Sequence, residues 1–79
     1  MRKELKWFAE IQERKLKQND YKHHWSNLSD DQLFHKLMME MAELFEAIST
    51  WDSFEVIDEC VDVANFAMMI ASNRNNWED

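Results

Sequence analysis

The sequence contains no glycine and no proline among its 79 residues. Glycine is the residue that most easily adopts a positive φ in tight turns, and proline is the usual interruption of a helix or strand. A chain without either residue lacks the punctuation that separates short strands. We therefore expect an all-α protein. Its length provides for one hydrophobic core, so residues 1–79 are predicted to form a single domain.

Cysteine and long apolar runs are also scarce. Cys60 is the single cysteine, so it cannot form an internal disulfide, and its apolar neighbours favour a small core residue in a reducing compartment. No stretch approaches the roughly 18 consecutive apolar residues of a membrane span, and the first residues lack the apolar run of a signal peptide. We expect a soluble, cytoplasmic protein.

Basic residues are outnumbered by acidic ones, 9 against 16, which gives a formal net charge of -7. This charge repels the phosphate backbone of a nucleic acid, so polymeric DNA or RNA is not an expected partner. A small polyphosphate can still bind if a divalent cation accompanies it, because the cation reverses the local sign of the potential.

Three helical stretches are predicted. The first covers about residues 2–18, and a polar and aromatic loop follows over 19–28. Ser29 with Gln32 is a capping-box pattern that begins the second helix, which runs to about Thr50. Its apolar positions at helical spacing are Leu33, Leu37, Met41, Leu44 and Ile48.

A second capping-box pattern, Asp52 with Glu55, begins the third helix, which is predicted to fray beyond about Ser72. Only a few residues around Trp51 join it to the second helix, so the two should pack as an antiparallel hairpin. Three helices with wide apolar faces cannot close a core alone. A homodimer that forms a four-helix-like bundle, or a homotetramer, is therefore expected.

Two pairs of carboxylates stand at helical spacing in this hairpin. Glu40 and Glu43 lie three residues apart on the second helix, and Glu59 and Asp62 lie three apart on the third. Apolar residues border both pairs. Partly buried acids that face one another repel, and they take up protons unless a positive charge lies between them. The spacing alone leaves two interpretations: a divalent-cation site, or a solvated acidic seam in a non-catalytic helical dimerisation module.

The type of cation follows from the available ligands. The three histidines, His23, His24 and His35, are not spaced with Cys60 as a zinc site requires. Carboxylate oxygens instead suit a hard cation. Mg²⁺ is therefore the expected cofactor, with Mn²⁺ as a substitute.

Residues 36–48, KLMMEMAELFEAI, and 59–69, ECVDVANFAMM, resemble the MazG-like enzymes of the all-α nucleoside triphosphate pyrophosphohydrolase superfamily. That family carries an E-E-x-x-E stretch followed by an E-x-x-D motif, and the likeness extends over about residues 33–72. Met39 stands where the first glutamate of the doublet is usual. The resemblance implies that Glu40, Glu43, Glu59 and Asp62 are the metal ligands.

The resemblance also implies the reaction, which is hydrolysis of (deoxy)nucleoside triphosphates to a nucleoside monophosphate and pyrophosphate. The implied biological role is the removal of unwanted nucleotides from the nucleotide pool. Glu40 or Glu43 is expected to polarise the attacking water. The alternatives are an enzyme like phosphoribosyl-ATP pyrophosphohydrolase and the non-catalytic module.

Three further residues are candidates for substrate binding. Lys36 could contact phosphate or simply be solvated, and Asn65 could bond to the base or sugar or to another part of the protein. Trp25 could stack on a base or cover the core.

Overall fold

The chain forms three α-helices, as the composition predicts. The computed structural model describes residues 1–19 and 24–77, and these contain α1 (Lys3–Gln18), a short 3₁₀ helix (Trp25–Asn27), α2 (Asp30–Thr50) and α3 (Ser53–Arg74), with no strand. Within these ranges no helix combines the length and apolar character that crossing a bilayer requires. Residues 20–23 of the predicted loop before α2, including His23, fall outside the described residues, and the described end of the loop carries the 3₁₀ helix.

The start of α2 is fixed by the predicted capping box. The Ser29 hydroxyl accepts from the Gln32 backbone N–H at 3.1 Å, and the Gln32 side chain accepts from the Ser29 N–H at 2.9 Å. At the other end Trp51 takes the left-handed conformation, with φ 63°. Glycine usually fills this position after a helix, and a bulky side chain there is strained. The chain has no glycine, so Trp51 makes the turn.

Asp52 caps α3, although not as a reciprocal box. Its carboxylate accepts from the N–H groups of Phe54 and Glu55, while its own N–H donates to the Thr50 hydroxyl rather than to Glu55. The far end of α3 extends two residues past the predicted fraying point. Arg74 in its last turn forms an ion pair with Asp30 at the start of α2, which connects the two helix ends remote from Trp51.

The buried core is small. Its members with less than a tenth of their surface exposed are Leu33, Ala47, Val61 and Asn65. Of the apolar positions predicted along α2, Leu33 is buried, whereas Met41 and Ile48 are more than half exposed in the single chain. The helix is apolar on two faces, and α3 packs against only one of them, the face that carries Leu33 and Ala47.

Helix α1 packs against α3 and contributes no fully buried residue. Its contacts with α3 include polar ones. The Gln12 side chain donates to the Asn65 amide oxygen at 3.1 Å, and the Lys15 ammonium contacts Asp58 and Asp62 one to two turns earlier on α3. The face of α3 that meets α1 therefore borders the acidic residues of the predicted site.

Candidate metal centre

Three of the four predicted acids come together between α2 and α3. One oxygen each from Glu40, Glu43 and Glu59 lies within 4.8 Å of the other two. The spacing of three residues places Glu40 and Glu43 on neighbouring turns of one helix face. Glu40 and Glu59 are half-buried, whereas Glu43 is exposed to solvent. This group is called the glutamate cluster below.

Asp62 lies in an adjoining group rather than in the glutamate cluster. One carboxylate oxygen each from Asp58, Glu59 and Asp62 lies within 4.8 Å of the other two. Glu59 therefore belongs to both groups. The Lys15 ammonium is 2.6 Å from Asp62 Oδ1 and 2.8 Å from Asp58 Oδ1. Asp62 is therefore next to the glutamate cluster, but its oxygen is turned to a lysine, and its role as a metal ligand stays a prediction.

The protonation of the glutamate cluster is strongly perturbed. Burial, together with the hydrogen bonds to Glu59 and Glu43 and the negative charges of Asp62 and Glu43, raises the pKa of Glu40 to about 8. Burial and the charges of Glu43 and Asp62 also raise the pKa of Glu59, although the hydrogen bond from Glu40 opposes this. Without a cation, the cluster retains a proton at neutral pH.

The cluster fits a hard divalent cation on two grounds. Oε2 of Glu40 and Oε2 of Glu59 are buried atoms with no hydrogen-bond partner in the described part of the chain. Buried acceptors without a donor are costly, and a cation removes that cost. All the available ligand atoms are carboxylate oxygens, which is the chemistry that Mg²⁺ and Mn²⁺ prefer. Glu43, being exposed, leaves the cluster open to a ligand from solvent.

Lys15 and Asp58 are site residues that the sequence did not reveal. Lys15 belongs to α1 and lies 43 positions before Asp58 in the sequence, so no local spacing links the two. Burial alone would lower the pKa of Lys15, but the hydrogen bonds and charges of Asp58 and Asp62 outweigh it and raise the pKa. For Asp58 the sequence does offer a signal, because this residue directly precedes Glu59 and lies one turn before Asp62.

The predicted substrate-binding residues are dispersed. Lys36 is exposed one turn before Glu40. Asn65 is only 5% exposed, and both ends of its amide bond to Gln12, at 3.1 Å through its oxygen and 3.5 Å through its nitrogen. Of its two interpretations, a partner within the protein therefore has direct structural support. A role of Asn65 or Lys36 in substrate binding stays a prediction.

Trp25 packs on the far end of α3. Its indole N–H donates to the Ser72 hydroxyl at 3.3 Å, and the His24 ring stacks on it with centroids 4.0 Å apart. Ser72 is ten residues beyond Asp62, or about 15 Å along a helix. Trp25 in this conformation thus lies beside the α3 end and remote from the glutamate cluster.

A cavity of about 410 Å³ opens at that same end. Its lining residues come from the 3₁₀ helix region, the start of α2 and the end of α3. They are mainly hydroxyl and amide side chains with the rings of His24 and Trp77. None of the carboxylates of the glutamate cluster lines it.

The fold and the site together define an all-α protein that gathers carboxylates between two helices. Comparison with known proteins is consistent with this class. A family model described as "Phosphoribosyl-ATP pyrophosphohydrolase" matches residues 6–75, and the chain belongs to this family. Membership confirms the predicted superfamily of all-α nucleotide pyrophosphohydrolases without selecting its MazG-like branch. The printed description of that family is of a pyrophosphohydrolase, an enzyme that hydrolyses an acid anhydride.

One curated relative is described as an "Uncharacterized protein" of Archaeoglobus fulgidus. It is 41% identical over 46 residues, which are 58% of this chain and 50% of the relative. The match therefore spans half the length of that protein. No solved structure matches the chain significantly.

Proposed function

We propose that the protein hydrolyses a nucleoside triphosphate between the α and β phosphates, releasing a monophosphate and pyrophosphate, with Mg²⁺ as cofactor and in the manner of MazG-like enzymes. The family membership supports the reaction class. The metal dependence is supported by Oε2 of Glu40 and Oε2 of Glu59, which are buried without a hydrogen-bond partner in the described chain, beside the exposed carboxylate of Glu43.

Glu40, Glu43 and Glu59 would hold the cation, and Asp62 would join them from the adjoining group. Bound Mg²⁺ supplies positive charge for the triphosphate and makes water more acidic. The half-buried Glu40 and Glu59 are oriented by the packing of α2 against α3. Glu43 is exposed, so its carboxylate is the one best placed to accept a proton from an attacking water.

Lys36 is the basic residue of α2 nearest to the cluster in sequence, one turn before Glu40. Its exposed ammonium can contact a phosphate that extends from the cation into solvent. A single exposed lysine adds little to binding by itself because water screens its charge. We therefore assign it a supporting role and expect its loss to affect KM more than kcat.

A second candidate substrate is phosphoribosyl-ATP, and the description of the matching family favours it. Both candidates contain the same triphosphate and yield pyrophosphate, so the metal centre does not discriminate between them. Discrimination has to come from groups that contact the base and sugar.

The test is pyrophosphate release measured for each common nucleoside and deoxynucleoside triphosphate and for phosphoribosyl-ATP, with Mg²⁺ or with EDTA. We expect turnover that requires Mg²⁺ and is abolished by Glu43→Gln and by Asp62→Asn, while circular dichroism shows folded helical protein. Glu46→Gln changes the charge equally on the same helix and should retain activity. Normal turnover in EDTA or in either site variant would contradict the proposal.

The rival interpretation, a non-catalytic helical module, makes a different prediction for stability. A cation that binds the folded state raises the melting temperature through linkage. Mg²⁺ or Mn²⁺ should therefore raise the melting temperature of the wild-type chain and raise that of Glu59→Gln less. A module with a solvated acidic seam would not respond.

The assembly that we propose is a homodimer built on the antiparallel hairpin of α2 and α3. The contacts of Glu43 with Glu59 and of Asp30 with Arg74 join residues at similar distances from Trp51, as antiparallel helices require. A row of exposed apolar side chains on α2 is left without a partner in the described chain. Its members, each at least half exposed and spaced alternately by four and three residues, are Phe34, Met38, Met41, Phe45 and Ile48.

Apolar residues that recur on average every 3.5 residues form the line of contact along which two helices pack. A second copy would bury the row by pairing it with its own equivalent about a two-fold axis. Sedimentation of Phe45→Glu tests this, because Phe45 is 79% exposed in the middle of the row. We expect a monomer, whereas Phe54→Glu, an exposed aromatic on α3, should sediment like the wild type. A wild-type monomer would refute the dimer.

A further inference from the structure

The Lys15 ammonium is fully engaged by the acidic residues next to the glutamate cluster. It lies 2.6 Å from Asp62 Oδ1, 2.8 Å from Asp58 Oδ1 and 3.3 Å from the Asp58 carbonyl oxygen. A lysine has three N–H donors, and these contacts use all three. Its side chain is 18% exposed. This is a partly buried and well-defined contact, unlike the flexible ion pairs of an open surface.

The two groups of acids that share Glu59 differ in how their charge is balanced. In one group, Lys15 lies against Asp58 and Asp62. In the glutamate cluster, Oε2 of Glu40 and Oε2 of Glu59 are buried without a hydrogen-bond partner in residues 1–19 and 24–77. Among the described residues, Lys15 thus supplies a positive charge to Asp58 and Asp62, whereas no ion pair reaches the glutamate cluster.

We propose that Lys15 is a positioning residue that holds Asp62 in the metal-free protein and competes with the divalent cation for this carboxylate. The inference rests on the proposed function, since it takes Asp62 and the glutamate cluster as the metal ligands. With a cation bound, Asp62 would join Glu59 as a ligand, and Lys15 would keep its contact with Asp58. Asp58 is therefore the residue that retains the lysine when Asp62 is released.

Two physical effects make Lys15 a determinant of metal affinity. Its positive charge repels a second cation nearby, and its contact occupies an Asp62 oxygen that the cation needs. Residues that contact metal ligands commonly change metal affinity by about 10- to 100-fold when they are mutated. Such mutations usually weaken metal binding. Removal of Lys15 should instead strengthen it, because this frees a ligand and makes the site more negative.

The test is the Mn²⁺ dissociation constant, measured by titration with electron paramagnetic resonance on the full chain. Lys15→Met keeps the length of the side chain and removes the charge, and we expect it to bind Mn²⁺ about 10-fold more tightly than the wild type. Lys15→Arg should restore affinity close to the wild-type value. Lys6→Met, an exposed position on the same helix, is the matched control and should leave the affinity unchanged.

A second variant keeps the test decisive if Lys15→Met does not fold. Asp58→Asn removes the alternative partner of Lys15 and should hold the lysine on Asp62, so Mn²⁺ should bind several-fold more weakly. The inference is overturned if Lys15→Met binds Mn²⁺ no more tightly than the wild type, or if Asp58→Asn leaves the affinity unchanged. A wild-type chain that binds no Mn²⁺ would instead defeat the proposed function itself.

Discussion

The raised pKa of Glu40 predicts an unusual pH dependence for the stability of the metal-free protein. Glu40 titrates at about 8 in the folded chain, against an ordinary value of 4.5. Between these values the folded state holds a proton that the unfolded state has lost. The free energy of unfolding should therefore fall as the pH rises from about 4.5 to about 8. Glu59 acts in the same direction because its pKa is also raised.

The magnitude follows from linkage. One retained proton gives a slope of at most about 1.4 kcal/mol per pH unit. The site is partly open to water, which screens the charges, so a total on the order of 1 to 3 kcal/mol over the interval is the reasonable expectation. Glu40→Gln resembles the protonated acid in shape and charge. It should match the wild type near pH 5 and be more stable than it near pH 8.

The assay is urea unfolding followed by circular dichroism in EDTA, at fixed protein concentration and at intervals between pH 5 and pH 8.5. Glu10→Gln, an exposed glutamate on α1, controls for the change in net charge. The difference between Glu40→Gln and wild type should grow with pH, and Mg²⁺ should reverse its sign at pH 8. Parallel pH profiles for the two proteins would refute the argument that Glu40 is held protonated.

Three further predictions rest on other parts of the molecule. Trp51→Gly should raise the free energy of unfolding of the monomeric Phe45→Glu background by about 1 kcal/mol, because glycine takes the left-handed conformation without strain; no gain in urea unfolding would contradict this. Asn65→Ala should destabilise the chain by about 1 to 3 kcal/mol through the lost bonds to Gln12, and a double-mutant cycle with Gln12→Ala should show coupling between the two. Binding of Mg²⁺ at pH 7 should release about one proton from the glutamate cluster. Calorimetry in buffers of different ionisation enthalpy measures the number of protons released. Binding without proton release would exclude a protonated Glu40.

The helices could be predicted from sequence because their ends are determined by local chemistry. Ser29 and Gln32 satisfy each other's backbone groups within one turn, and the Asp52 carboxylate accepts from two backbone N–H groups at the start of α3. The meeting of Glu40 and Glu59 also follows from short-range facts, since a two-residue link fixes which turns of α2 and α3 face each other. Spacing by three then brings Glu43 to the same place.

What the sequence did not reveal depends on contacts between distant positions. Helix α2 is apolar on two faces, and periodicity alone does not decide which one meets α3, so the exposure of Met41 and Ile48 does not follow from their spacing. Lys15 looks like any exposed lysine on an amphipathic helix until α1 is docked on α3. Burial of Asn65 against Gln12 depends on the same docking.

The most direct test of the account is a crystal of the protein soaked in Mn²⁺ and measured for anomalous scattering. We expect a peak within bonding distance of the carboxylate oxygens of Glu40, Glu43 and Glu59, about 2.0 to 2.3 Å for a hard cation. The absence of any anomalous peak at these oxygens, at concentrations of Mn²⁺ that support turnover, would contradict the claim that this cluster exists to bind a metal.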